Sequence, residues 1–472
     1  MEELERIELE KIYKQGYGFY WYGKGKAIQE TKNTEKSYIP FYNDNLYIEG
    51  DNLKALKMLQ KEYTGKIKII YIDPPYNTGK NCIYKDNYKK LNKNSLSIGD
   101  KNHSNWLNMM YPRIKLAKEL LSEDGVIFIS IDDNELFNLK QICDEIFTEE
   151  NYISNFIWFN NERGRSIDKF IANTNENILA YAKNIDFLEI NKLVEKGANL
   201  LIEYNLKDEK SYYKKGDPLY NNNSAFNIET RPNLTYSIYI NKKTKEKRCI
   251  DEKQKVINDK GFECWELPIE NFLGKDWIKI IPPLRKTNNK IGCWRWGIDK
   301  FMVEADKELI LEEKNGKYMF YSKNRLLEDN SKTYKYKNYI KGIAGASGTT
   351  EVTKLLENKV FNNPKPLNLI KLFCQIGMKK KSIILDFFSG SATTAHAVMQ
   401  LNAEDGGNRK YIMVQLPELC DEKSEAYKAG YKTICEIGKE RIKRAGEQIK
   451  LNEKFKIENR KKLNTNFKII EI

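Results

Sequence analysis

The sequence predicts an α/β protein built on a doubly wound parallel sheet, with a second lobe inserted into the chain. Three observations predict it. Strand-like apolar runs alternate with helix-length segments from Asn45 to Lys183, and the alternation returns in residues 346–450. The intervening residues 184–345 lack that rhythm and are aromatic, basic and rich in turn residues. Alternating strands and helices are typical of a parallel sheet that carries helices on both faces.

The length of the chain also favours more than one lobe. A single hydrophobic core rarely extends over 472 residues, and longer chains divide into domains. The pattern predicts an N-terminal extension (1–44), a first α/β half (45–183), an inserted lobe of mixed α+β structure (184–345), a second α/β half (346–450) and a polar C-terminal tail (451–472).

The first α/β half contains three predicted strands in order. The segment "NLYIEGDNLKALKML" predicts a short strand, a Gly-Asp turn and a helix, and "KIKIIYI" predicts the next strand. The segment "WLNMMYPRIKLAKELLSEDG" predicts a helix that ends at glycine. In "VIFISIDDNELFNLKQICDEIF" the pattern of strand, Asp cap and amphipathic helix repeats.

The second α/β half resumes that pattern. A strand, a loop and a helix are predicted in "KKKSIILDFFSGSATTAHAVMQL", another strand in "RKYIMVQLPE", and a closing helix in "YKTICEIGKERIKRAGEQI". Ligands of open parallel sheets bind beyond the carboxyl ends of the strands, where the strand order reverses. Asp73 and Asp386 each end a predicted strand, so we expect these two distant loops to face one another.

The charge balance favours a polyanionic partner. The chain has 80 Lys and Arg against 66 Asp and Glu, a net charge of +14, which favours nucleic acid before a membrane surface. It contains no apolar stretch long enough for a signal peptide or a membrane span, so a cytoplasmic location is expected. Eight scattered cysteines without a CxxC pair, and two distant histidines, argue against a metal site and a disulfide framework.

The segment "IIYIDPPYNTG" carries the first chemical signal. Asp73 follows a buried strand, and Pro74 and Pro75 restrict the backbone before them and have no N–H groups. The result is a rigid row of acceptors, the Asp73 carboxylate and main-chain carbonyls, followed by the flat ring of Tyr76. Such a row suits the exocyclic amine of a nucleobase, which presents two N–H donors in the plane of a stackable ring.

An exocyclic amine is a poor nucleophile because its lone pair is delocalised into the ring. If Asp73 and the Pro74 carbonyl accept its hydrogens, the nitrogen moves toward a tetrahedral arrangement and its lone pair can meet an electrophile. Tyr76 would stack on the base. Chemistry at a ring carbon of the base is not expected, since it needs a thiolate nucleophile, commonly from a Pro-Cys pair, and the sequence has no such pair.

The "YIDPPYNTG" segment resembles the catalytic motif of amino-methylating DNA methyltransferases, in which the Asp form is typical of adenine N6 enzymes and the Ser form of cytosine N4 enzymes. The segment "LDFFSGSATTAHAV" is similar to the loop D-x-F-x-G-S-G-T-T of the same family, which binds the methionine part of S-adenosylmethionine. Its glycine permits close approach of the backbone, and the following helix start attracts an anion. Neither a dinucleotide-binding G-x-G-x-x-G nor a P-loop is present.

The resemblance implies a set of cofactor-binding residues. Ala392 replaces the second glycine of the family pattern, and Gln415 stands where many methyltransferases place an acid that holds the ribose. Asp51 would meet the adenine amine of the cofactor, and Lys365 in "PKP" would lie near the cofactor. The complete set implied is Asp51, Lys365, Asp386, Phe388, Gly390, Ser391, Thr393, Thr394 and Gln415.

The order of the motifs, catalytic first and cofactor last, resembles the circularly permuted beta class of amino-methyltransferases. Longer runs such as "GDNLKALKML", "GVIFISIDDNE" and "SGTTEVTKLL" resemble the modification (Mod) subunits of type III restriction-modification systems. The resemblance implies a target recognition domain in the inserted lobe and double-stranded DNA as partner. It leaves open a homodimer and a helicase-nuclease restriction subunit.

Two other functions remain open from the sequence. The same fold could act on cytosine N4, or the chain could be a DNA-specificity subunit without catalysis that serves a nuclease partner. Methylation of RNA or of a protein glutamine fits less well, because glutamine-methylating relatives resemble this motif with Asn in place of Asp and lack a large insert.

Overall fold

The computed structural model describes residues 2–32, 34–78, 103–164, 169–195, 197–257, 261–285 and 289–472. Cys82, one of the eight cysteines, lies outside the described residues. The chain divides into two compact units. Unit 1 consists of Met1–Leu193 and Lys335–Ile472, and unit 2 is Val194–Tyr334. Unit 1 therefore contains both α/β halves predicted from the sequence.

Nine strands among the described residues form one sheet in unit 1. In chain order these are β1 (Asn45–Glu49), β2 (Ile67–Ile72), β3 (Leu121–Ile131), β4 (Tyr152–Trp158), β5 (Glu176–Ala182), β6 (Tyr339–Ile340), β7 (Ile383–Asp386), β8 (Lys410–Gln415) and β9 (Phe467–Glu471). Their spatial order is β6-β4-β5-β3-β2-β7-β8-β1-β9. Neighbours pair in parallel except at β5, which is antiparallel to both β3 and β4.

Helices connect these strands. They are α1 (Glu2–Gln15), α2 (Lys24–Glu30), α3 (Asn52–Tyr63), α4 (His103–Leu120), α5 (Leu136–Phe147), α6 (Ala346–Leu356), α7 (Leu367–Gly377), α8 (Thr393–Asp405), α9 (Glu425–Lys428), α10 (Ile434–Leu451) and α11 (Ile457–Lys462), with single 3-10 turns at Glu149–Asn151 and Ile185–Phe187. No described helix combines the length and apolar character that crossing a membrane requires.

The sheet is buried on both faces, as the alternation along β2 shows. Ile70 and Ile72 point into one hydrophobic core, which α3, α4 and α5 cover. Ile69 and Tyr71 point into a second core, which α7, α8 and α10 cover. Successive side chains of a strand point to opposite faces, so the isoleucine-rich strands serve both cores at once. The predicted doubly wound α/β fold is confirmed.

Both ends of the chain belong to unit 1. In the N-terminal extension, Trp21 and Ala27 pack into the core of α3, α4 and α5. The segment expected as a polar tail forms α11 and then β9, which pairs in parallel with β1 at the edge of the sheet. β6 also joins this sheet, by pairing with β4, although the sequence assigned residues 339–340 to the inserted lobe.

Unit 2 is a small mixed structure with antiparallel strand pairing. Its strands are Leu193–Glu195, Leu206–Lys207, Tyr212–Pro218, Ser237–Asn241, Lys247–Ile250, Gln254–Ile257, Glu263–Glu266, Trp277–Ile280, Leu309–Lys314, Lys317–Arg325 and Lys332–Tyr334, and its helices are Ala198–Glu203, a 3-10 turn at Pro232–Leu234, and Ile298–Glu308. Trp294, Phe301 and Phe320 are buried in its core with Ile238. This unit therefore has a core of its own.

Candidate active site

The two motif loops leave neighbouring strands at the same edge of the sheet. Asp73 directly follows β2, and Asp386 is the last residue of β7. β2 and β7 pair in parallel, with Ile70 opposite Leu385. Because the strands run in the same direction, both loops emerge side by side although 313 residues separate the two aspartates (386 minus 73).

A cavity of about 280 Å³ lies between these loops. Asp73 and Pro75 line it, whereas Pro74 and Tyr76 do not. All the cofactor residues implied by the sequence line it: Asp51, Lys365, Asp386, Phe388, Gly390, Ser391, Thr393, Thr394 and Gln415. The structure thus brings the residues of both motifs around one space.

Asp73 lies in a compact charged cluster. Its Oδ1 accepts a hydrogen bond from the Tyr76 hydroxyl at 2.8 Å and lies 2.9 Å from the Lys365 Nζ. Its Oδ2 accepts no hydrogen bond from a described residue. Burial raises the pKa of Asp73, and the Lys365 ammonium opposes that rise. Lys365 also donates to the Tyr76 hydroxyl at 2.8 Å.

Glu176 completes this cluster, and sequence reasoning missed it. Its Oε2 lies 3.3 Å from the Lys365 Nζ and 3.2 Å from the Tyr76 hydroxyl oxygen, while its Oε1 accepts a hydrogen bond from the Asn160 amide at 2.7 Å. Glu176 is the first residue of β5, and the antiparallel direction of β5 brings it to the edge where the parallel strands end. The apolar pattern of the run "ENILAYAK" predicts a strand but does not show its direction.

The carbonyl groups of Pro74 and Pro75 differ in their hydrogen bonding. The Pro75 carbonyl accepts a hydrogen bond from the indole N–H of the fully buried Trp106 at 2.7 Å. The Pro74 carbonyl accepts none from the described residues. One carbonyl therefore anchors the loop to α4, and the other stays available beside Asp73.

The turn after Tyr76 is fixed by a second buried carboxylate. Asn77 has a positive φ of 57°, which asparagine tolerates better than most residues. Its side chain donates to Glu135 Oε1 at 2.5 Å, and Glu135 also accepts from Asn138 at 2.7 Å and lies 2.8 Å from His103. Glu135 follows "FISIDDN" at the end of β3, and its role was not expected from the sequence.

The cofactor loop is held chiefly by nearby groups. Asp386 Oδ2 accepts from the Thr394 hydroxyl at 2.6 Å, and its Oδ1 accepts from the Phe388 N–H at 3.1 Å. Burial raises the pKa of Asp386 to about 7. Gly390 has a φ of 49°, and a Cβ there would lie 3.2 Å from the Phe361 ring, so glycine suits both the conformation and the space.

The start of α8 presents unpaired donors to the cavity. The backbone N–H groups of Ser391, Thr393 and Thr394 donate to no acceptor among the described residues, and all three residues line the cavity. Free N–H groups at a helix start favour an anionic group through hydrogen bonds and the helix dipole. This part of the cavity fits the carboxylate of an amino acid.

Ala392 adopts the conformation that explains the glycine in the family pattern. Its φ is 59° and its ψ 38°, in the left-handed region, and its side chain is fully buried. Alanine pays a steric cost in that region, which glycine avoids. The substitution is accommodated because the methyl group packs into the core of α7, α8 and α10.

Gln415 supports the loop. Its Oε1 accepts from the Gly390 N–H at 2.7 Å, so the side chain implied for the ribose already fixes the loop that lines the cavity. Glu418, three residues later, lines the same cavity. It was not singled out from the sequence, although it is the acid in "QLPE".

Asp51 has two partners. Its Oδ1 accepts from the Lys54 N–H at 3.0 Å as the cap of α3, and its Oδ2 pairs with Arg113 at 3.0 Å. Arg113 lines the cavity beside Asp51 and also contacts Asn52 through its Nε at 2.5 Å. Sequence reasoning missed Arg113, because it lies on α4 and 62 residues separate it from Asp51.

The arginines of the insert have different environments within unit 2. Arg285 is buried and donates to the Phe226 carbonyl at 2.6 Å, which makes it a structural residue. Arg248 pairs with Glu246 at 2.7 Å and Arg295 with Asp217 at 3.0 Å, and both side chains are exposed. Arg231 is exposed and stacks on Phe226.

A parallel sheet with helices on both faces and these two loops at one edge places the protein in a class of enzymes. Members of this class transfer a methyl group to an amine of DNA. Comparison with known proteins agrees. Residues 67–447 match a family described as DNA methylase, and the chain belongs to that family. Enzymes of this family take the methyl group from S-adenosylmethionine.

Individual relatives cover most of the chain. The EcoPI Mod subunit of a type III restriction-modification enzyme from Escherichia phage P1 is 32% identical over 93% of this chain and 70% of its own length. The EcoP15I Mod subunit from Escherichia coli is 30% identical over 94% and 71%. The type II methyltransferase M.KpnI from Klebsiella pneumoniae is 32% identical over 87% and 89%.

Proposed function

We propose that the chain is a site-specific adenine N6 DNA methyltransferase and the modification subunit of a restriction-modification system. One observation carries the proposal. Asp73 Oδ2 and the Pro74 carbonyl are two neighbouring acceptors without partners among the described residues. An exocyclic amine needs two acceptors for its two hydrogens, and these two stand at the edge of the sheet where the cofactor loop also emerges.

The cluster around Asp73 prepares it for the amine. Lys365 and Tyr76 both bind Oδ1, which fixes the carboxylate and leaves Oδ2 free. The ammonium group favours the ionised form of the carboxylate, and burial keeps the pKa of Asp73 above its ordinary value. A carboxylate with a raised pKa can accept a proton from the amine after transfer more readily than an ordinary one.

The reaction needs one electrophile, and S-adenosylmethionine supplies a methyl group on a sulfonium. The amine nitrogen forms the new bond to that carbon as the sulfur–carbon bond breaks, and the amine proton leaves through Asp73 or water. The protein positions the two partners, since Asp73 and the Pro74 carbonyl orient the lone pair. The target base must first leave the DNA stack, and we propose that Tyr76 stacks on it.

The residues around the cavity fit the cofactor. The free N–H groups at the start of α8 suit its carboxylate, and Glu418 suits hydroxyl groups of the ribose. Asp51 and Arg113 supply polar groups at the side of α3 and α4, where we propose that the adenine amine binds. Gln415 then supports binding indirectly, by holding Gly390.

Adenine is favoured over cytosine by the Asp at position 73, since the Asp form of the motif is typical of adenine N6 enzymes. Two relatives are named as Mod subunits of type III enzymes, which supports the modification role. In that role the protein would act on double-stranded DNA in the cytoplasm. Its protein partner would be a helicase-nuclease restriction subunit. Light scattering with and without DNA distinguishes a monomer from a homodimer.

The inserted lobe is proposed to recognise the target sequence. Its exposed Arg231, Arg248 and Arg295 can contact phosphates or base edges, whereas the buried Trp294 and Arg285 maintain its structure. Replacing each exposed arginine by glutamine and measuring DNA affinity at several salt concentrations separates phosphate contacts, which change the salt dependence, from base contacts.

The proposal is tested by the methylated base itself. The wild type and the Asp73→Ala variant are expressed in a host that lacks DNA methylation, and nucleosides from its genomic DNA are analysed by mass spectrometry. We expect N6-methyladenine with the wild type and none with the variant. N4-methylcytosine alone would make the chain a cytosine enzyme, and no product from a folded wild type would favour a specificity subunit.

A further inference from the structure

Arg441, on α10, lies buried behind the cofactor loop. Its side chain is fully buried, with an exposed fraction of 0%. Its Nη1 donates to the Ser391 hydroxyl at 2.8 Å and to the Thr393 hydroxyl at 2.6 Å. Both hydroxyl residues line the cavity. Arg441 itself does not line the cavity, so the guanidinium contacts the loop residues without being part of the cavity wall.

The charge of Arg441 is not neutralised by a carboxylate. Arg441 forms no ion pair among the described residues, and its Nε and Nη2 are buried without hydrogen-bond partners. Glu351 is the acidic group that influences it, but one oxygen of Glu351 accepts from the Leu367 N–H at 2.8 Å. A buried cation without a close partner costs stability, so the position calls for a reason beyond folding.

Arg441 remains positively charged although it is buried. Burial lowers the pKa of Arg441 to about 10, which still leaves the guanidinium charged at neutral pH. The neighbouring His396 is neutral, because burial and the charge of Arg441 lower its pKa to about 3. The buried positive charge behind the loop is thus that of Arg441.

The hydrogen bonds of Arg441 also orient the loop hydroxyls. Arg441 donates to both oxygens, and the Thr393 hydroxyl donates its own hydrogen to the Lys365 carbonyl at 3.2 Å. The Ser391 hydroxyl lies 3.4 Å from that of Thr393, a longer contact, and its hydrogen can turn to an acceptor in the cavity. An acceptor in this part of the cavity can also accept hydrogen bonds from the free backbone N–H groups of Ser391 and Thr393.

We propose that Arg441 is a positioning residue that makes the cofactor loop selective for a carboxylate, acting through Ser391 and Thr393 rather than by direct contact. The inference rests on the proposed function, in which S-adenosylmethionine binds in this cavity. The carboxylate of the cofactor accepts hydrogen bonds from the loop N–H groups and from the Ser391 hydroxyl. The buried positive charge of Arg441 compensates the negative charge of that carboxylate. In return, the ligand supplies negative charge to a guanidinium that forms no ion pair among the described residues.

The test compares two ligands that differ in one group. S-adenosylmethionine and decarboxylated S-adenosylmethionine share every part except the carboxylate, and their dissociation constants are measured by titration calorimetry. In Arg441→Gln we expect affinity for S-adenosylmethionine to fall roughly tenfold or more, because a charge-assisted interaction is lost. Affinity for the decarboxylated ligand should change by less than about twofold.

A matched control lies on the same helix. Arg444 is one-third exposed and pairs with Glu440 at 2.7 Å, so Arg444→Gln removes a guanidinium that does not touch the loop. It should leave both dissociation constants unchanged. Arg441→Lys keeps a charge and should retain part of the preference for the carboxylate, and it carries the test together with Ser391→Ala if Arg441→Gln does not fold.

The outcomes separate the two proposals. A selective loss of S-adenosylmethionine binding in Arg441→Gln, or in the Lys and Ser391→Ala variants that replace it, supports the inference. An equal change for both ligands, or no change, overturns it while the proposed function stands. Failure of the wild type to bind S-adenosylmethionine would overturn the proposed function, and the inference with it.

Discussion

The loop after β2 and the loop after β7 lie side by side but are built in opposite ways. The first presents acceptors, Asp73 Oδ2 and the Pro74 carbonyl, and has prolines where N–H donors would be. The second presents donors, the N–H groups at the start of α8. A donor-rich amine suits the first loop and an anionic carboxylate suits the second, so the difference predicts which ligand belongs on each side.

The two loops also differ in what holds them. The acceptor loop depends on side chains that are distant in sequence: Glu176, Lys365 and Trp106. The donor loop depends mainly on its own residues, on the neighbouring Gln415 and on the buried Arg441. Substitutions on the two sides should therefore separate into effects on transfer and effects on cofactor binding.

The largest effect is expected at the acceptor loop. Asp73→Ala removes the acceptor that orients the amine, and transfer to DNA should fall at least about 100-fold, the usual scale for loss of one preorganised polar group. Transfer is measured as tritium incorporated from labelled S-adenosylmethionine. Retention of more than about a tenth of the wild-type rate would remove Asp73 from the mechanism.

A stability effect is expected at the donor loop. The pKa of Asp386 is raised by burial from its ordinary 3.8 to about 7. The folded chain therefore holds an extra proton between these values, and stability falls as pH rises through that window. Asp386→Asn removes the buried charge, so it should be more stable than the wild type at about pH 8 by on the order of 1–3 kcal/mol.

Thermal unfolding checks this prediction. The difference in melting temperature between Asp386→Asn and the wild type should shrink as the pH falls from about 7 to below about 3, where the wild-type carboxyl is mostly protonated in both states. A difference that stays constant with pH would show that titration of Asp386 does not control the stability of the loop.

Opposite shifts in pH dependence are expected around Asp73. Lys365 lowers the pKa of Asp73 and Glu176 raises it. If transfer requires ionised Asp73, the acid limb of its pH profile should move to higher pH in Lys365→Met and to lower pH in Glu176→Gln. Single-turnover rates over a pH series provide the measurement, and shifts in the same direction for both variants would be inconsistent with this electrostatic arrangement.

The smallest effect is expected at Ala392, where the left-handed conformation disfavours alanine. Ala392→Gly relieves that cost but loses a buried methyl group, so the unfolding free energy should change by less than about 1 kcal/mol. Denaturant unfolding measures it. A loss well above that value would show that packing of the methyl group outweighs the backbone conformation.

The sequence predicted the two loops because each is a local pattern. Asp73 to Tyr76 and Asp386 to Thr394 are contiguous, and strands that end in them are recognisable from isoleucine-rich runs. The partners of these loops were missed because their contacts are long-range. Tyr76 and Glu176 are 100 residues apart, and Arg441 and Ser391 are 50 apart.

Sheet edges were missed for a related reason. β9 is short and mostly exposed, with charged residues among its apolar ones, so its pattern is that of a polar tail. It becomes a strand because β1 offers unpaired backbone groups along the edge of the sheet. Similarly, only the pairing register shows that β5 runs antiparallel and brings Glu176 to the active edge.

We propose a division of roles between the two loops, in which one acts on the amine and the other on the cofactor. It is tested most directly by measuring the S-adenosylmethionine dissociation constant and the single-turnover transfer rate, at saturating cofactor, for Asp73→Ala and Gln415→Ala. We predict that Asp73→Ala lowers the rate and leaves the dissociation constant unchanged. Gln415→Ala, which releases the Gly390 N–H, should raise the dissociation constant and leave the rate nearly unchanged. Parallel changes of both quantities in both variants would contradict this division.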